Sequence, residues 1–234
     1  MRRIGAGVIA ALLAGQAMAA PECSVPQTLP TPHAEAPSNR EPARRVPIGG
    51  YTLSLIWMPE RCHKGGATGD WLSCRDARGF ALHGLWPEGK GHDWPQYCAP
   101  AAILPQRTLR AHYCATPSAQ LLQHEWAKHG TCMGGGMTPD HYFTLSNRLF
   151  DTIRVPDMAG LSRRPGFTVA QLGQAFARAN PGLRADMIRV QLNRRGWLEE
   201  LRLCLDTAFA PRRCPIGQSG ARGEQVVKIW RGGR

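Results

Sequence analysis

Residues 123–132 bring together side chains that can transfer protons and side chains that hold a charge. Histidine exchanges protons near neutral pH, whereas lysine stays cationic and glutamate anionic. Together such groups can move a proton and hold an anionic oxygen, which is the composition of a catalytic site. The candidates are His124, Glu125, Lys128 and His129.

A helix over residues 118–129 is predicted to carry these four side chains, because Ser118 is a typical N-cap and Gly130 a typical stop. At 3.6 residues per turn the four fall within an arc of about 140°. Leu122 and Trp126 lie beyond that arc, on the side that can pack inward. The polar face can therefore line a cleft, and the competing interpretation is a solvated face with incidental histidines.

Two other kinds of site have less support. A zinc-protease helix needs histidines four residues apart, whereas His124 and His129 are five apart and diverge by about 140°. The chain has no Gly-x-Ser-x-Gly pattern for a nucleophilic serine and no Cys-x-x-Cys pair for structural zinc. We therefore expect acid–base chemistry by histidines, with no metal and no cofactor.

The remaining pattern predicts strands and helices without a strict alternation. Residues 51–57 alternate in hydrophobicity as a strand does, and in a second strand, 80–83, His83 lies on the face opposite Phe80 and Leu82. Further predictions are helices at 138–149 and 168–179 and strands at 187–192, 197–205 and 225–230. This mixture predicts an α+β domain with a largely antiparallel central sheet flanked by helices and stapled by disulfides.

The N-terminus has the features of an export signal. Residues 1–19 contain two arginines, a short apolar run and a small-residue pattern that predicts cleavage after Ala19. The alternative is a membrane anchor, but the run is short for a bilayer span. Residues 20–47 are rich in proline and poor in large apolar side chains, so we expect a flexible arm before a catalytic domain over 48–234.

Export gives the eight cysteines a simple interpretation, because disulfides persist outside the cytosol. An even number permits four bridges, although the sequence alone leaves many pairings open. Short separations such as Cys62 to Cys74 and Cys204 to Cys214 suit loop-closing bridges.

The chain is strongly basic, with 29 basic and 17 acidic residues; removal of Arg2 and Arg3 with the signal leaves a net charge of +10. Such a charge predicts a polyanionic partner, with nucleic acid as the leading candidate. The alternatives are solubility or proximity to anionic lipid. RNA needs only the chemistry that the histidines offer, because its 2′-hydroxyl is an internal nucleophile beside the phosphate.

Two segments resemble the active-site segments of the ribonuclease T2 family of secreted, metal-independent endoribonucleases. They are residues 80–87, FALHGLWP, and 124–132, HEWAKHGTC. The similarity continues through 55–62 and through 198–215, so it covers roughly Tyr51 to the C-terminus. It implies cleavage of single-stranded RNA through a 2′,3′-cyclic phosphate to 3′-phosphate ends.

The resemblance also implies a role for each motif residue. His129 would remove the proton of the 2′-hydroxyl and His83 would protonate the leaving oxygen, with the roles reversed when the cyclic phosphate is hydrolysed. His124 would hold phosphate, while Glu125 and Lys128 would stabilise the phosphorane and tune the neighbouring histidine.

Trp86 would offer a stacking surface for a base, with little base specificity, and the alternative is a core tryptophan. Glu88 and the segment 90–94 depart from the pattern that we recognise, so base-site residues are not assigned there, although Trp94 is a second candidate for stacking. Three histidines have no motif support and are interpreted as surface or core residues: His92, His112 and His141.

For the cysteines, the resemblance implies the bridges Cys62–Cys74, Cys98–Cys132 and Cys204–Cys214. This leaves Cys23 and Cys114 as the remaining pair, which would fix the arm to the domain.

The expected protein is therefore a periplasmic or secreted endoribonuclease that acts on RNA as a monomer. It is expected to leave DNA intact, because DNA lacks the 2′-hydroxyl. Two rival hypotheses remain. One is a non-catalytic basic protein that binds RNA or another polyanion on the same scaffold, and the other is a metal-dependent nuclease.

Overall fold

The structure is a computed structural model that describes residues 23–65, 74 and 79–232. The predicted export signal, residues 1–19, lies outside the described residues. The elements in chain order are β1 (Ile48–Trp57), α1 (Met58–Gly65), β2 (Phe80–Gly89), α2 (Gln106–His112), α3 (Ala119–Lys128), α4 (Pro139–Asp151), α5 (Met158–Leu161), α6 (Val169–Ala179), β3 (Ile188–Leu192) and β4 (Leu198–Leu205). Among these described helices, none is both long enough and apolar enough to cross a bilayer.

The four strands form one antiparallel sheet in the order β2-β1-β4-β3. Leucines on one face of the sheet form the core: Leu53 pairs with Leu203 and Leu55 with Leu201, and all four are buried. They belong to one apolar cluster with side chains of α4 and α6, including Tyr142, Phe143, Leu172 and Phe176. The α+β prediction is confirmed.

The opposite face of the sheet carries polar side chains, because successive residues of a strand point to opposite faces. In the β1–β4 register, Ser54 lies opposite Arg202 and Ile56 opposite Glu200. The leucine alternation of β4 that builds the core therefore directs Glu200 and Arg202 to the other side.

A bulge in β2 places His83. Ser54 pairs with Gly84, whereas the next residue, Leu55, pairs with Leu82, so His83 is an extra residue on β2 with no partner in the β1–β2 register. Bulges disrupt the ladder locally and change the direction of a side chain, and they are common beside active sites. The strand alternation predicted the correct face for His83, but not the bulge.

The predicted helix caps occur in the structure. Ser118 accepts a hydrogen bond from the Leu121 N–H at the start of α3, and Thr138 accepts one from His141 at the start of α4. Thr168 and Gln171 form the predicted capping box of α6. These side chains satisfy backbone N–H groups that have no partner within the helix.

Other local predictions were wrong. No strand forms at 225–230, because Val226 bridges to Thr168 and Lys228 to Trp197, so the segment divides its pairing between two partners. Helices α1, α2 and α5 were not predicted. Strand β1 ends at Trp57, and Pro59 is the second residue of α1, where a missing N–H costs nothing.

Residues 23–47 lie extended along the domain. The Leu29 side chain is buried, its N–H donates to Gln106 Oε1 at 3.2 Å, and its carbonyl accepts from Gln106 Nε2 at 2.8 Å. Farther along, Arg44 forms a backbone bridge with Gln96. The proline-rich composition favours the extended form, but these contacts hold the segment against the domain, where the sequence led us to expect flexibility.

Four disulfides use all eight cysteines: Cys23–Cys114, Cys62–Cys74, Cys98–Cys132 and Cys204–Cys214. Cys23–Cys114 closes a separation of 91 residues and attaches the arm to the domain. Cys98–Cys132 holds the end of the α3 region against the segment that follows β2.

Leu29→Ala should lower the free energy of unfolding by about 2–5 kcal/mol, because it removes a buried side chain that anchors the arm. Chemical denaturation measures this change, with Thr28→Ala as the control, since Thr28 is exposed beside it. Equal stability of the two variants would mean that the arm does not pack in solution as described.

Candidate active site

A cavity of about 520 Å³ opens over the polar face of the sheet and beside α3. The six residues selected from the two motifs all line it, so strand β2 and helix α3 contribute to one site: His83, Trp86, His124, Glu125, Lys128 and His129. His92 and Trp94 also reach its wall. His112 packs in the core against Phe143, and His141 lies exposed on α4.

Glu125 joins α3 to β2. Its side chain is buried, and its Oε2 accepts a hydrogen bond from Trp86 Nε1 at 2.7 Å. A Cβ at position 84 would collide with this same carboxylate oxygen, so Gly84 leaves the space that Glu125 fills. Burial raises the pKa of Glu125, and the positive charges of His83 and His124 and the Trp86 hydrogen bond oppose that rise.

His83 lies between two carboxylates. Its Nδ1 is 2.7 Å from Glu200 Oε1, and its Nε2 is 3.4 Å from Glu125 Oε1. Burial lowers the pKa of His83, but the two carboxylates outweigh burial, and the pKa is raised above its ordinary value. This environment favours the protonated imidazole.

His129 has the opposite environment. Helix α3 ends at Lys128, one residue before the predicted end, and His129 is its C-cap. The His129 side chain is buried. Its ring stacks on Trp86 with centroids 5.4 Å apart, and no described residue hydrogen-bonds its Nδ1. Burial, followed by the charges of His124, Lys128 and His83, lowers the pKa of His129 well below its ordinary value. The neutral imidazole is favoured here.

The arm supplies carboxylates to the other two motif cations. Glu35 Oε2 lies 3.3 Å from His124 Nδ1, and Glu41 Oε1 lies 2.5 Å from Lys128 Nζ. The Lys128 hydrogen bond lowers the pKa of Glu41. Tyr97 lies beside this pair, and burial together with the charges of Glu35 and Glu41 raises the pKa of its hydroxyl to about 12. Motif residues that we expected to meet phosphate therefore already contact anions.

The angular argument against a shared metal ion does not hold in the structure. Ligand atoms of His124, Glu125 and His129 all lie within 4.8 Å of one another. His129 has left the helix, with a φ of −110°, so its side chain does not follow the ideal helical direction. Metal independence remains a prediction and requires a direct test.

Sequence reasoning missed Glu200 and Arg202 as site residues. Arg202 lines the cavity, donates to Glu200 Oε2 from Nε at 3.0 Å and from Nη2 at 2.8 Å, and lies 4.9 Å from the centroid of the Trp86 ring. The sequence pattern of β4 could have identified them. Its leucines alternate with Glu200 and Arg202, so these two side chains are assigned to the face opposite the leucines.

Glu88 also lines the cavity, at the position where the sequence departs from the recognised pattern. Its Oε1 accepts from the Thr52 hydroxyl at 2.7 Å, and Gln218 Nε2 donates to the same hydroxyl at 2.9 Å. Burial raises the pKa of Glu88, against the Thr52 hydrogen bond and the charges of Arg202 and Arg212.

Residues 48–214 match the family model described as "Ribonuclease T2 family". The chain belongs to the ribonuclease T2 family. A probable ribonuclease of Haemophilus influenzae is 29% identical over 73% of this chain, and a ribonuclease of Aeromonas hydrophila is 30% identical over 67%. The matches span 62% and 71% of those two proteins.

Solved structures share the fold of this ribonuclease T2 family member. Trichomaglin, described as an S-like ribonuclease, aligns with a TM-score of 0.62 at 22% identity, over 77% of this chain and 98% of its own. An RNase-related protein from Calystegia sepium aligns with a TM-score of 0.59 at 20% identity, over 77% and 96%. At such identities the likeness establishes the architecture alone.

Glu41→Gln should tighten binding of a single-stranded oligonucleotide about two- to fivefold at low salt. The change removes a carboxylate that competes for Lys128, and partly exposed ion pairs of this kind contribute up to about 1 kcal/mol. Fluorescence anisotropy with a DNA oligonucleotide measures the dissociation constant. Glu224→Gln, which alters an exposed pair with Arg222, controls for net charge. Weaker binding by Glu41→Gln would mean that the arm carboxylate assists the ligand.

Proposed function

We propose that this protein is an endoribonuclease that cleaves single-stranded RNA by transphosphorylation. The 2′-hydroxyl attacks the adjacent phosphorus, a 2′,3′-cyclic phosphate forms, and its hydrolysis leaves 3′-phosphate ends. Family membership supports ribonuclease activity, and the arrangement of the two histidines supports this mechanism.

The opposite shifts of the two histidines carry the proposal. A pair of titratable groups whose environments move their pKa values apart defines an acid and a base. The lowered pKa of His129 suits the base that removes the 2′-hydroxyl proton. The raised pKa of His83 suits the acid that protonates the departing 5′-oxygen. For hydrolysis of the cyclic phosphate, His83 then takes a proton from water and His129 returns one.

The remaining motif residues act on the phosphate. Lys128 and His124 bind the phosphate oxygens after releasing Glu41 and Glu35, and positive charge there stabilises the phosphorane. The negative charge of Glu125 raises the pKa of His83 and so keeps on its imidazole the proton that the departing oxygen takes. Trp86 provides the surface on which a base stacks, through the part of its ring that neither His129 nor Arg202 covers.

RNA is the substrate that this chemistry requires, since DNA has no 2′-hydroxyl to attack and should not be cleaved. The basic mature chain attracts polyanions without reading sequence, so base specificity should be low. The four disulfides and the predicted export signal support a periplasmic or secreted location, and we propose that the protein acts there as a monomer.

His83→Phe and His129→Phe should each lower kcat for RNA by about two to four orders of magnitude, because each removes a proton-transfer group. The assay follows 2′,3′-cyclic phosphate formation in EDTA, with far-UV circular dichroism to show that the fold is intact. His141→Phe is the matched control, since His141 is exposed and distant from the cavity.

The same assay separates the rival hypotheses. Full activity of either site variant would refute the acid–base pair. Inhibition by EDTA would favour a metal-dependent nuclease, for which His124, Glu125 and His129 offer ligands. RNA binding without cleavage would favour the non-catalytic polyanion binder.

The pH profile of kcat/KM should be a broad bell around the ordinary histidine pKa of about 6.5. The base works when neutral, so the rate rises with pH through the lowered pKa of His129, below 6.5. The acid works when protonated, so the rate falls as pH passes the raised pKa of His83, above 6.5. NMR titration of the two imidazoles assigns the limbs, and a higher pKa for His129 than for His83 would contradict the roles.

A further inference from the structure

Glu200 contacts the candidate general acid from the side away from Glu125. Strand β4 directs its side chain to the polar face of the sheet, where its Oε1 lies 2.7 Å from His83 Nδ1. Neither active-site motif contains Glu200, and the roles assigned to those motifs do not include it.

The other oxygen of Glu200 is fixed by several donors. Arg202 donates to Oε2 from two nitrogens, at 3.0 and 2.8 Å, and the Ser54 hydroxyl donates to it at 3.3 Å. Arg202 also lies against the Trp86 ring, at 4.9 Å from its centroid. Two-point contact by a guanidinium restricts the orientation of a carboxylate. Oε1 is thereby held toward His83.

A carboxylate at Nδ1 determines which nitrogen of His83 faces the substrate. The hydrogen bond to the carboxylate keeps a proton on Nδ1, so the exchangeable proton must be carried by Nε2. Nε2 is the nitrogen directed toward Glu125, and both residues line the larger cavity. Glu200 itself stays ionised, because its pKa is lowered to about 2: burial raises it, and His83 and Arg202 outweigh burial.

We propose that Glu200 is the positioning residue of the general acid, holding the Nδ1 proton of His83 so that Nε2–H points at the leaving oxygen. The inference rests on the proposed function. As the bond from phosphorus to the 5′-oxygen breaks, the Nε2 proton moves to that oxygen and His83 becomes neutral. Nδ1 keeps its proton and its hydrogen bond to Glu200 throughout. The neutral Nε2 is then free to accept a proton from water when the cyclic phosphate is hydrolysed.

Other charged groups face His83 and contribute to its absolute pKa. Glu125 faces it from α3, and Arg202 from β4 opposes the two carboxylates. A second cavity of about 240 Å³ reaches His83 from its other side, and its charged walls come from α1 and β4: Glu60, Arg61, Glu199 and Glu200. All of these groups except Glu200 stay in place when Glu200 alone is changed, so a comparison at that position isolates its contribution.

Glu200→Gln should lower kcat on a ribodinucleotide about 10- to 100-fold, as loss of an orienting partner does. It should also move the alkaline limb of the pH profile down by about one unit, because His83 loses a nearby negative charge. On a ribonucleoside 3′-(4-nitrophenyl phosphate) the same variant should lose much less kcat, because the nitrophenolate leaving group departs without a proton.

Glu200→Asp is the conservative variant and should return the alkaline limb toward that of the unchanged protein. Glu224→Gln makes the same chemical change at an exposed ion pair and should leave kcat unchanged on both substrates. Equal losses on both substrates, with the alkaline limb unmoved, would reduce Glu200 to a structural role and overturn the inference.

The two proposals can fail separately. If the unchanged protein does not cleave the dinucleotide, the proposed function fails. NMR titration of His83 then still tests the contact, because Glu200→Gln should lower its pKa in the absence of substrate. If the unchanged protein cleaves the dinucleotide and Glu200→Gln changes neither the titration nor the substrate ratio, the positioning role alone is wrong.

Discussion

The site depends on the contact between Glu125 and strand β2. A buried carboxylate is energetically costly unless hydrogen bonds or opposite charges compensate it. Glu125 accepts a hydrogen bond from Trp86 Nε1 and lies beside His83. The contact needs an empty position on the strand, and Gly84 provides it. Because the Glu125 carboxylate occupies the space beside Gly84, the contact helps to set the separation of the two elements that carry His83 and His129. A larger residue at position 84 would displace the Glu125 carboxylate and with it the helix, and so change the separation of the two histidines.

The same arrangement makes the two histidines unequal. The bulge at His83 places its ring between Glu125 and Glu200, so negative charge lies on both sides. His129 lies buried at the end of α3, where the charges of His124, Lys128 and His83 act on it, and no described residue hydrogen-bonds its Nδ1. Neither difference comes from the histidine side chain itself. It comes from the surroundings of each ring. His83 lies on a strand beside the carboxylate of Glu200, whereas His129 lies at a helix end beside His124 and Lys128.

Much of this arrangement could be predicted from local patterns. Cap residues such as Ser118 and Thr168 are recognisable because their bonds are made within three residues. The alternation around Leu53 and Leu203 revealed the sheet face in the same way. Contacts between distant segments were not accessible: the Glu200–His83 contact joins residues 117 apart, and the bulge at His83 exists only relative to β1. Motif spacing therefore identified groups that line the cavity, while tertiary packing sets the direction of their pKa shifts.

The N-terminal arm places two carboxylates, Glu35 and Glu41, in a basic site, and the burial of Lys128 gives a physical reason for this. Lys128 is largely buried, with 14% of its side chain exposed, and an unpaired cation in that position would be costly. Glu41 compensates Lys128, and Glu35 lies against His124 in the same way. A phosphate that enters exchanges one anion for another, so the net gain in binding is small. Weak ground-state binding is no disadvantage to catalysis, which depends on interactions that strengthen in the transition state. The net positive charge of the chain can then govern encounter with RNA, while the paired cations at the site favour release of the product.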